Sequence, residues 1–322
     1  MKSQITGNMY PILSLHHVTA TVDEAQADHD FCVQALGLRL VKKTVNFDNH
    51  FVYHFYYGDE RGTPGTIWTT FPYANRRVAA GTKGAGQVTV TAFSVPTGSL
   101  ASWRTRLAER GIAVNDIEPR FGDPAIAFSD ESGLAFELIA NDHDGRRPWV
   151  GEGLDADMAI RGLHSVTCLV RDPAKTIELM TGLLGFRTLD EMEGRVRLGA
   201  HGGGPGRTID LVRDASAPAA INGLGTVHHV AMAIGTEDEQ LRLREELLQY
   251  GCKVTEVRDR CYFKSIYFRE PGGVLFEVAT MEPGFTADEE LSQLGRELKL
   301  PPWEEMHRAD IEAALVSVVT GA

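Results

Sequence analysis

Leu15-His-His-Val-Thr-Ala-Thr-Val22 is one of four runs that decide the fold; the others are Gly86-Gln-Val-Thr-Val-Thr-Ala-Phe93, Leu163-His-Ser-Val-Thr-Cys-Leu-Val170 and Val227-His-His-Val-Ala-Met-Ala-Ile234. Each is rich in β-branched residues, with enough polar alternation for a strand that sets one face against a core. Each leads into a stretch of helical periodicity that stops at a glycine: positions 23–37, then Trp103 and Leu107 to Gly111, Asp172-Pro173 to Gly185, and Leu243, Leu247 and Leu248 to Gly251. Asp-Pro suits a helix start, and glycine suits the left-handed residue that ends one. More strand-like runs follow each helix, the last being Pro64-Gly-Thr-Ile-Trp-Thr-Thr-Phe71, Ser132-Gly-Leu-Ala-Phe-Glu-Leu138, Gly206-Arg-Thr-Ile-Asp-Leu-Val212 and Pro271-Gly-Gly-Val-Leu-Phe-Glu-Val278.

The chain therefore reads as a fourfold repeat of about 55 to 60 residues with a β-α-β-β-β plan. The expected class is α+β, four βαβββ modules in two domains whose curved mixed sheets form cups. Polar, Gly/Pro-rich breaks fall at 74–85, 141–160 and 214–225, and the middle one is the domain boundary. It separates an N-terminal domain, 1–145 with modules 1 and 2, from a C-terminal domain, 146–285 with modules 3 and 4. A tail, 286–322, carries a helical pattern through Ile311, Leu315 and Val318. That pattern suits packing on the surface or against a second subunit, so a homo-oligomer is compatible with it.

Composition excludes several classes. In 322 residues, 43% are hydrophobic and 24% charged, enough for a substantial core and unlike a disordered or fibrous chain. The net charge of -12 argues against a nucleic-acid partner, because phosphate binding needs a basic surface. No run is apolar and long enough to span a membrane. The opening Met1-Lys-Ser-Gln-Ile-Thr-Gly-Asn8 lacks the apolar centre of a signal peptide. Cys32, Cys168, Cys252 and Cys261 have no CxxC spacing. Reduced thiols and a cytoplasmic location are the expectation.

Superposing the repeats turns the sequence into a chemical question. One matched position holds His17, Gln87, Ser165 and His229; another, near the last strand's glycine, holds Thr70, Glu137, Asp210 and Glu277. If modules pair into cups, modules 1 and 4 bring together His17, His229 and Glu277, with Thr70 a poor fourth donor. Modules 2 and 3 bring no imidazole. Two histidines and one carboxylate with open positions suit non-haem Fe(II), or Mn(II). One metal centre, built by the first and last modules, is expected. Neighbouring strand residues face opposite ways, so only one histidine of each adjacent pair points straight into the cup, while Thr19 shares a face with His17.

These residues also carry a resemblance. Leu15-His-His-Val-Thr19, Gly62-Thr-Pro-Gly-Thr66, Thr69-Thr-Phe-Pro72, Arg120-Phe-Gly122, Val227-His-His-Val230, Arg260-Cys-Tyr-Phe-Lys-Ser-Ile-Tyr267, Pro271-Gly-Gly-Val-Leu-Phe-Glu277 and Gly284-Phe-Thr286 occur in order along nearly the whole chain. The series resembles the hydroquinone and halohydroquinone ring-cleaving dioxygenases of the vicinal oxygen chelate (glyoxalase/extradiol dioxygenase) superfamily. The resemblance implies Fe(II)-dependent cleavage of a 1,4-dihydroxybenzene, chlorinated or alkylated forms included, by dioxygen. The family's ligands fall on His17, His229 and Glu277; its substrate-side residues fall on His16, Thr19, His228, Arg260 and Tyr267. His228, and after it His16, would exchange protons; Tyr267 would hydrogen-bond bound oxygen; Arg260 would hold the far hydroxyl or stabilise anionic charge. Cys261 departs from a similar enzyme's glycine, and the Phe47–Phe51 and His201–Pro205 loops vary. Two rivals stand beside this reading: a glyoxalase-type isomerase or lyase, disfavoured by Thr70, and a non-catalytic aromatic- or antibiotic-binding protein.

Overall fold

The first quoted run becomes strand β1 (Ser14–Val22), followed by helix α1 (Ala25–Asp30), which widens into a π-helical turn over Phe31–Ala35, and by β2 (Arg39–Asn46), β3 (Asn49–Gly58) and β4 (Ile67–Pro72). Module 2 repeats the plan as β5 (Gln87–Val95), α2 (Leu100–Glu109), β6 (Val114–Asp116), β7 (Ala125–Ser129) and β8 (Ala135–Ala140). Module 3 is β9 (Gly162–Val170), α3 (Ala174–Gly182), β10 (Arg187–Met192), β11 (Arg195–Gly199) and β12 (Thr208–Arg213). Module 4 is β13 (Thr226–Ile234), α4 (Glu237–Tyr250), β14 (Arg258–Asp259), β15 (Lys264–Arg269) and β16 (Leu275–Thr280). This computed structural model describes residues 12–73, 78–151, 153–192 and 194–320. The opening eight residues and positions 74–77 of the first break lie outside them.

Helix boundaries obey the local chemistry read from the sequence. Thr236 caps α4 by accepting the Glu239 N–H at 3.2 Å, and Gly251 ends it in the left-handed region at φ 103°. Asp172 Oδ1 receives the Ala174 N–H at the start of α3.

Two eight-stranded sheets result. One runs β14-β15-β16-β13-β1-β4-β3-β2 and joins modules 4 and 1; the other runs β10-β11-β12-β9-β5-β8-β7-β6 and joins modules 3 and 2. Each sheet is thus a pseudo-twofold pair about a central antiparallel contact, β1 with β13 or β5 with β9. The segments 1–145 and 146–285 each give one module to each sheet. One continuous apolar core takes side chains from both sheets and from the helices. Trp68 of β4 meets Phe136 of β8 edge to face, ring centroids 5.1 Å apart. The opposite face of the first sheet is free to carry polar chemistry.

The tail folds back on its own chain. Leu298 bridges to Lys43 of β2, and Ile311, in helix α5 (Arg308–Ala314), packs with Val45 and Leu300. Lys42 of β2 is fully buried and forms ion pairs with Asp288, at 2.6 Å, and Glu289. Among the described residues no helix is long and apolar enough to cross a membrane.

Candidate active site

Two β-bulges build the site. In the β1–β13 ladder Leu15 faces Met232 but His17 faces Ala231, and Thr19 faces His229 but Ala20 faces Val227. His16 and His228 are therefore the extra residues of two symmetry-related bulges, the device by which strands re-aim side chains at functional sites. Strict alternation would have sent one histidine of each pair away. The bulges instead leave His16 Nδ1 2.9 Å from His17 Nδ1, and His228 Nδ1 2.7 Å from His229 Nδ1.

His17, His229 and Glu277 converge and are buried. Nε2 of His17 lies 3.2 Å from Nε2 of His229; Oε2 of Glu277 lies 3.3 Å from the first and 2.8 Å from the second. The other carboxylate oxygen, Oε1, accepts the Ser265 hydroxyl, whereas the buried Oε2 receives no well-formed hydrogen bond. Tautomers follow from one carbonyl. Thr280 O, 3.2 Å from His16 Nε2, can only accept, so that nitrogen carries the proton. His16 Nδ1 then accepts from His17 Nδ1–H, which leaves His17 Nε2 facing the Glu277 carboxylate; a cation, either a proton or a metal ion, must lie between them.

The three edges, 2.8, 3.2 and 3.3 Å, are short enough for a single ion to reach all three groups.

Burial governs the protonation of these groups. It lowers His16 and His228 to about 3, helped by His17 and His229 respectively, and it lowers His229 despite the opposing pull of Glu277. Burial alone would raise Glu277; the charge and hydrogen bonding of the His17 and His229 rings outweigh it and hold the carboxyl well below its ordinary range. Burial and the Glu277 charge raise the Tyr267 phenol, which stays protonated.

The three groups open onto a cavity of about 210 Å³ that His228, Arg260 and Tyr267 also line. His16 is packed behind the triad against Phe263, and Thr19 is fully buried, bonded at 2.8 Å to the Thr69 hydroxyl. Arg260 does not pair with Glu256 or Asp259. Its Nε donates to Tyr267 Oη at 3.1 Å, and its Nη2 lies 3.3 Å from Asp48. The next residue, Cys261, holds φ at 64°, a backbone region that favours glycine. The Asp259 carboxylate secures the Cys261 N–H there at 2.7 Å.

Two matched positions need correction. Register pairs Thr69 with Thr19 just as Glu277 pairs with Ala231, so Thr69, not Thr70, stands where module 4 has its carboxylate. Thr70 faces the helix side and donates to Asp28 at 2.6 Å. In module 2 the bulge falls between Val88 and Val90, which puts Val90, not Gln87, at the histidine position. Matching from the first strand's leading residues misplaced Gln87 and counting from the last strand's glycine misplaced Thr70, because bulges and turns of unequal length shift the frame.

The walls escaped the sequence reading. His54 of β3 is set between Tyr56 and Phe71, ring centroids 4.0 and 4.3 Å away, with Nε2 2.9 Å from Thr69 Oγ1. Burial lowers its pKa well below the ordinary value, with His17 and His229 acting in the same direction. Alternation in Tyr53-His-Phe-Tyr56 puts His54 and Tyr56 on one face, but only strand pairing places that face on the cavity.

The second sheet carries a different solution. Glu137 and Asp210 occupy the positions equivalent to Glu277. Arg120 is bonded to Glu137, while Arg195 and Arg197 bond Asp210 at 2.8 to 3.0 Å. Guanidinium groups satisfy these carboxylates, and among the described residues the His17, His229 and Glu277 group is the single cluster of metal-binding type.

Comparison with known proteins agrees with this architecture. Residues 162–278 match the Glyoxalase/Bleomycin resistance protein/Dioxygenase superfamily. MhqE of Bacillus subtilis, named as a ring-cleaving dioxygenase, is 41% identical over 92% of this chain and 96% of its own. The chlorohydroquinone/hydroquinone 1,2-dioxygenase of Sphingobium indicum is 35% identical over 89% of this chain and 91% of its own. A crystal structure titled as a dioxygenase from Bacillus subtilis superposes with a TM-score of 0.91 at 39% identity, covering 96% of this chain and 98% of that one. The chain belongs to the ring-cleaving dioxygenases of the glyoxalase/dioxygenase superfamily, and is an oxidoreductase.

Proposed function

We propose that this enzyme opens the aromatic ring of a hydroquinone, plain, chlorinated or alkylated, with dioxygen, using Fe(II) held by His17, His229 and Glu277 in a cytoplasmic setting. The observation that carries the reading is the buried triangle of His17 Nε2, His229 Nε2 and Glu277 Oε2, whose Oε2 has no well-formed hydrogen bond, set beside the cavity. Two imidazoles and one carboxylate with an open side are the donor set of non-haem Fe(II) oxygenases. The name of the Sphingobium relative supports the substrate class. Thr69, at the fourth corner, disfavours a glyoxalase-type site of four protein ligands.

Bound Fe(II) would supply a Lewis acid for a phenolic oxygen and a redox route between ring and dioxygen. The protein's part follows from its own geometry. Ser265 holds Glu277 Oε1 and so turns Oε2 toward the metal position. The His17–His16–Thr280 chain fixes one imidazole, and His228 orients the other. His228 lines the cavity and would exchange the hydroxyl proton of the substrate there. Tyr267 is a protonated donor, and Arg260 a fixed cation beside it, for negative charge that develops on oxygen. Tyr56, Phe71 and Phe263 give flat apolar walls for a ring.

Anaerobically reconstituted Fe(II) protein should consume dioxygen with hydroquinone or its methyl or chloro derivatives. Absence of uptake across that panel, with iron confirmed bound, overturns the proposal. His229→Ala should lose the iron; stoichiometric iron in that variant refutes the ligand assignment.

A further inference from the structure

The pseudo-twofold axis between β1 and β13 relates the two walls of the cavity residue by residue. Tyr56 pairs with Thr69 as Tyr267 pairs with Glu277, so Tyr56 matches Tyr267 and, two residues earlier on each strand, His54 matches Ser265. Ser265 bonds the Glu277 carboxylate; His54 bonds Thr69 in the same way. Here the symmetry ends. The Ser265 hydroxyl gives its single proton to its carboxylate, whereas an imidazole has a second nitrogen. His54 Nδ1 has no partner among the described residues, and the ring lines the cavity in a fixed orientation between Tyr56 and Phe71.

We propose that His54 is the specificity residue for the second ring hydroxyl, binding it through Nδ1 while Nε2 is anchored to Thr69. The assignment rests on the hydroquinone reading above. Arg260, the other candidate for that hydroxyl, is already engaged: its Nε serves Tyr267 and its Nη2 faces Asp48. A permanent cation also suits an anionic oxygen better than a neutral hydroxyl. A phenolic hydroxyl both donates and accepts, so it satisfies Nδ1 in either tautomer. A ring without that hydroxyl leaves Nδ1 facing an apolar atom, and sites built to bond a hydroxyl reject analogues lacking it for this reason.

The test measures binding, without turnover. Hydroquinone and phenol are titrated anaerobically into metal-loaded protein by calorimetry. The wild type should prefer hydroquinone about three- to tenfold beyond the statistical advantage of its two equivalent hydroxyls, the worth of one neutral hydrogen bond. His54→Asn, whose carboxamide reaches the Nδ1 position, should keep that preference. His54→Gln, which reaches the Nε2 position and retains the Thr69 bond, should lose it while binding phenol as before. A preference retained in His54→Gln overturns the role of His54 alone. Failure of hydroquinone to bind the metal-loaded wild type overturns the hydroquinone reading beneath it.

Discussion

Replacing Arg120 by alanine probes why, among the described residues, one of the two sheets holds a metal-type triad and the other does not. Arg120 Nε lies 3.1 Å from each oxygen of Glu137, and Nη2 bonds Oε1. Glu137 is 4% exposed and has no other side-chain partner among the described residues. Removing one partner of a buried ion pair costs about 3–5 kcal/mol, because the other charge stays buried without compensation. The Arg120 side chain is 21% exposed, so water enters once it is gone, and the lower end, about 3 kcal/mol, is the expected loss. Glu137→Gln in the native background trades a charge-assisted bond for a neutral one and should cost about 1 kcal/mol. In the Arg120→Ala background the same change removes the stranded charge, and it should restore about 1–2 kcal/mol. The sign of the Glu137→Gln effect therefore reverses between backgrounds. Urea unfolding midpoints of the four proteins, with unchanged m-values, measure the cycle. Equal costs for Glu137→Gln in both backgrounds would refute the reasoning, as would loss of bound metal in Arg120→Ala.

Asp28 offers a pH-dependent counterpart. Burial pushes its carboxyl up to about 7, against the hydrogen bonds from Thr70 and Tyr57. A raised folded value means that the native state holds a proton the unfolded chain releases, so stability falls as pH rises from about 4 to about 7. At about 1.4 kcal/mol per pH unit, the fall approaches 4 kcal/mol at most. Asp28→Asn should gain on the wild type progressively across that window, and parallel stability–pH curves for the two proteins would refute the assignment. Ser265→Ala leaves the buried Glu277 Oε1 without its donor and should weaken metal affinity about 10- to 100-fold, while costing about 1–3 kcal/mol of stability. Metal titration by calorimetry reads this directly; native affinity would show that Ser265 does not orient the carboxylate.

The modules were legible because each is punctuated alike, by a β-branched run, an amphipathic stretch and a glycine that the structure finds at positive φ at Gly37, Gly111, Gly185 and Gly251. His17, His229 and Glu277 were legible because only one pairing of modules brings two imidazoles to one carboxylate. What stayed hidden depends on hydrogen-bond register. A bulge adds a residue without a sequence mark, so alternation could not say that His16 and His228 remain beside their neighbours. The same frame shift exchanged Thr69 with Thr70 and Val90 with Gln87. His54 was hidden for another reason: its nearness to Thr69 is made by the β3–β4 pairing, a contact across 15 positions that no local pattern records.

The contrast between the two cups has a simple electrostatic root. Three of the four modules keep an acid at the same register position, Glu137, Asp210 or Glu277, and all three are buried. A buried carboxylate that stays ionised needs a positive partner, and these three acids meet that need in two ways. Where the neighbours are arginines, the charge is permanent and the carboxylate is tied up, so the sheet gains a structural ion pair and little chemistry. Where the neighbours are histidines, the same carboxylate faces ring nitrogens that can give way to an exchangeable cation. The two sheets thus share one geometry, and what separates them is guanidinium beside the acids in one and imidazole beside the acid in the other. Ser165 and Val90 at the imidazole positions of the second sheet complete the difference. A histidine there would still meet an Asp210 already neutralised by Arg195 and Arg197, so the arginines, more than the missing histidines, keep that cup structural.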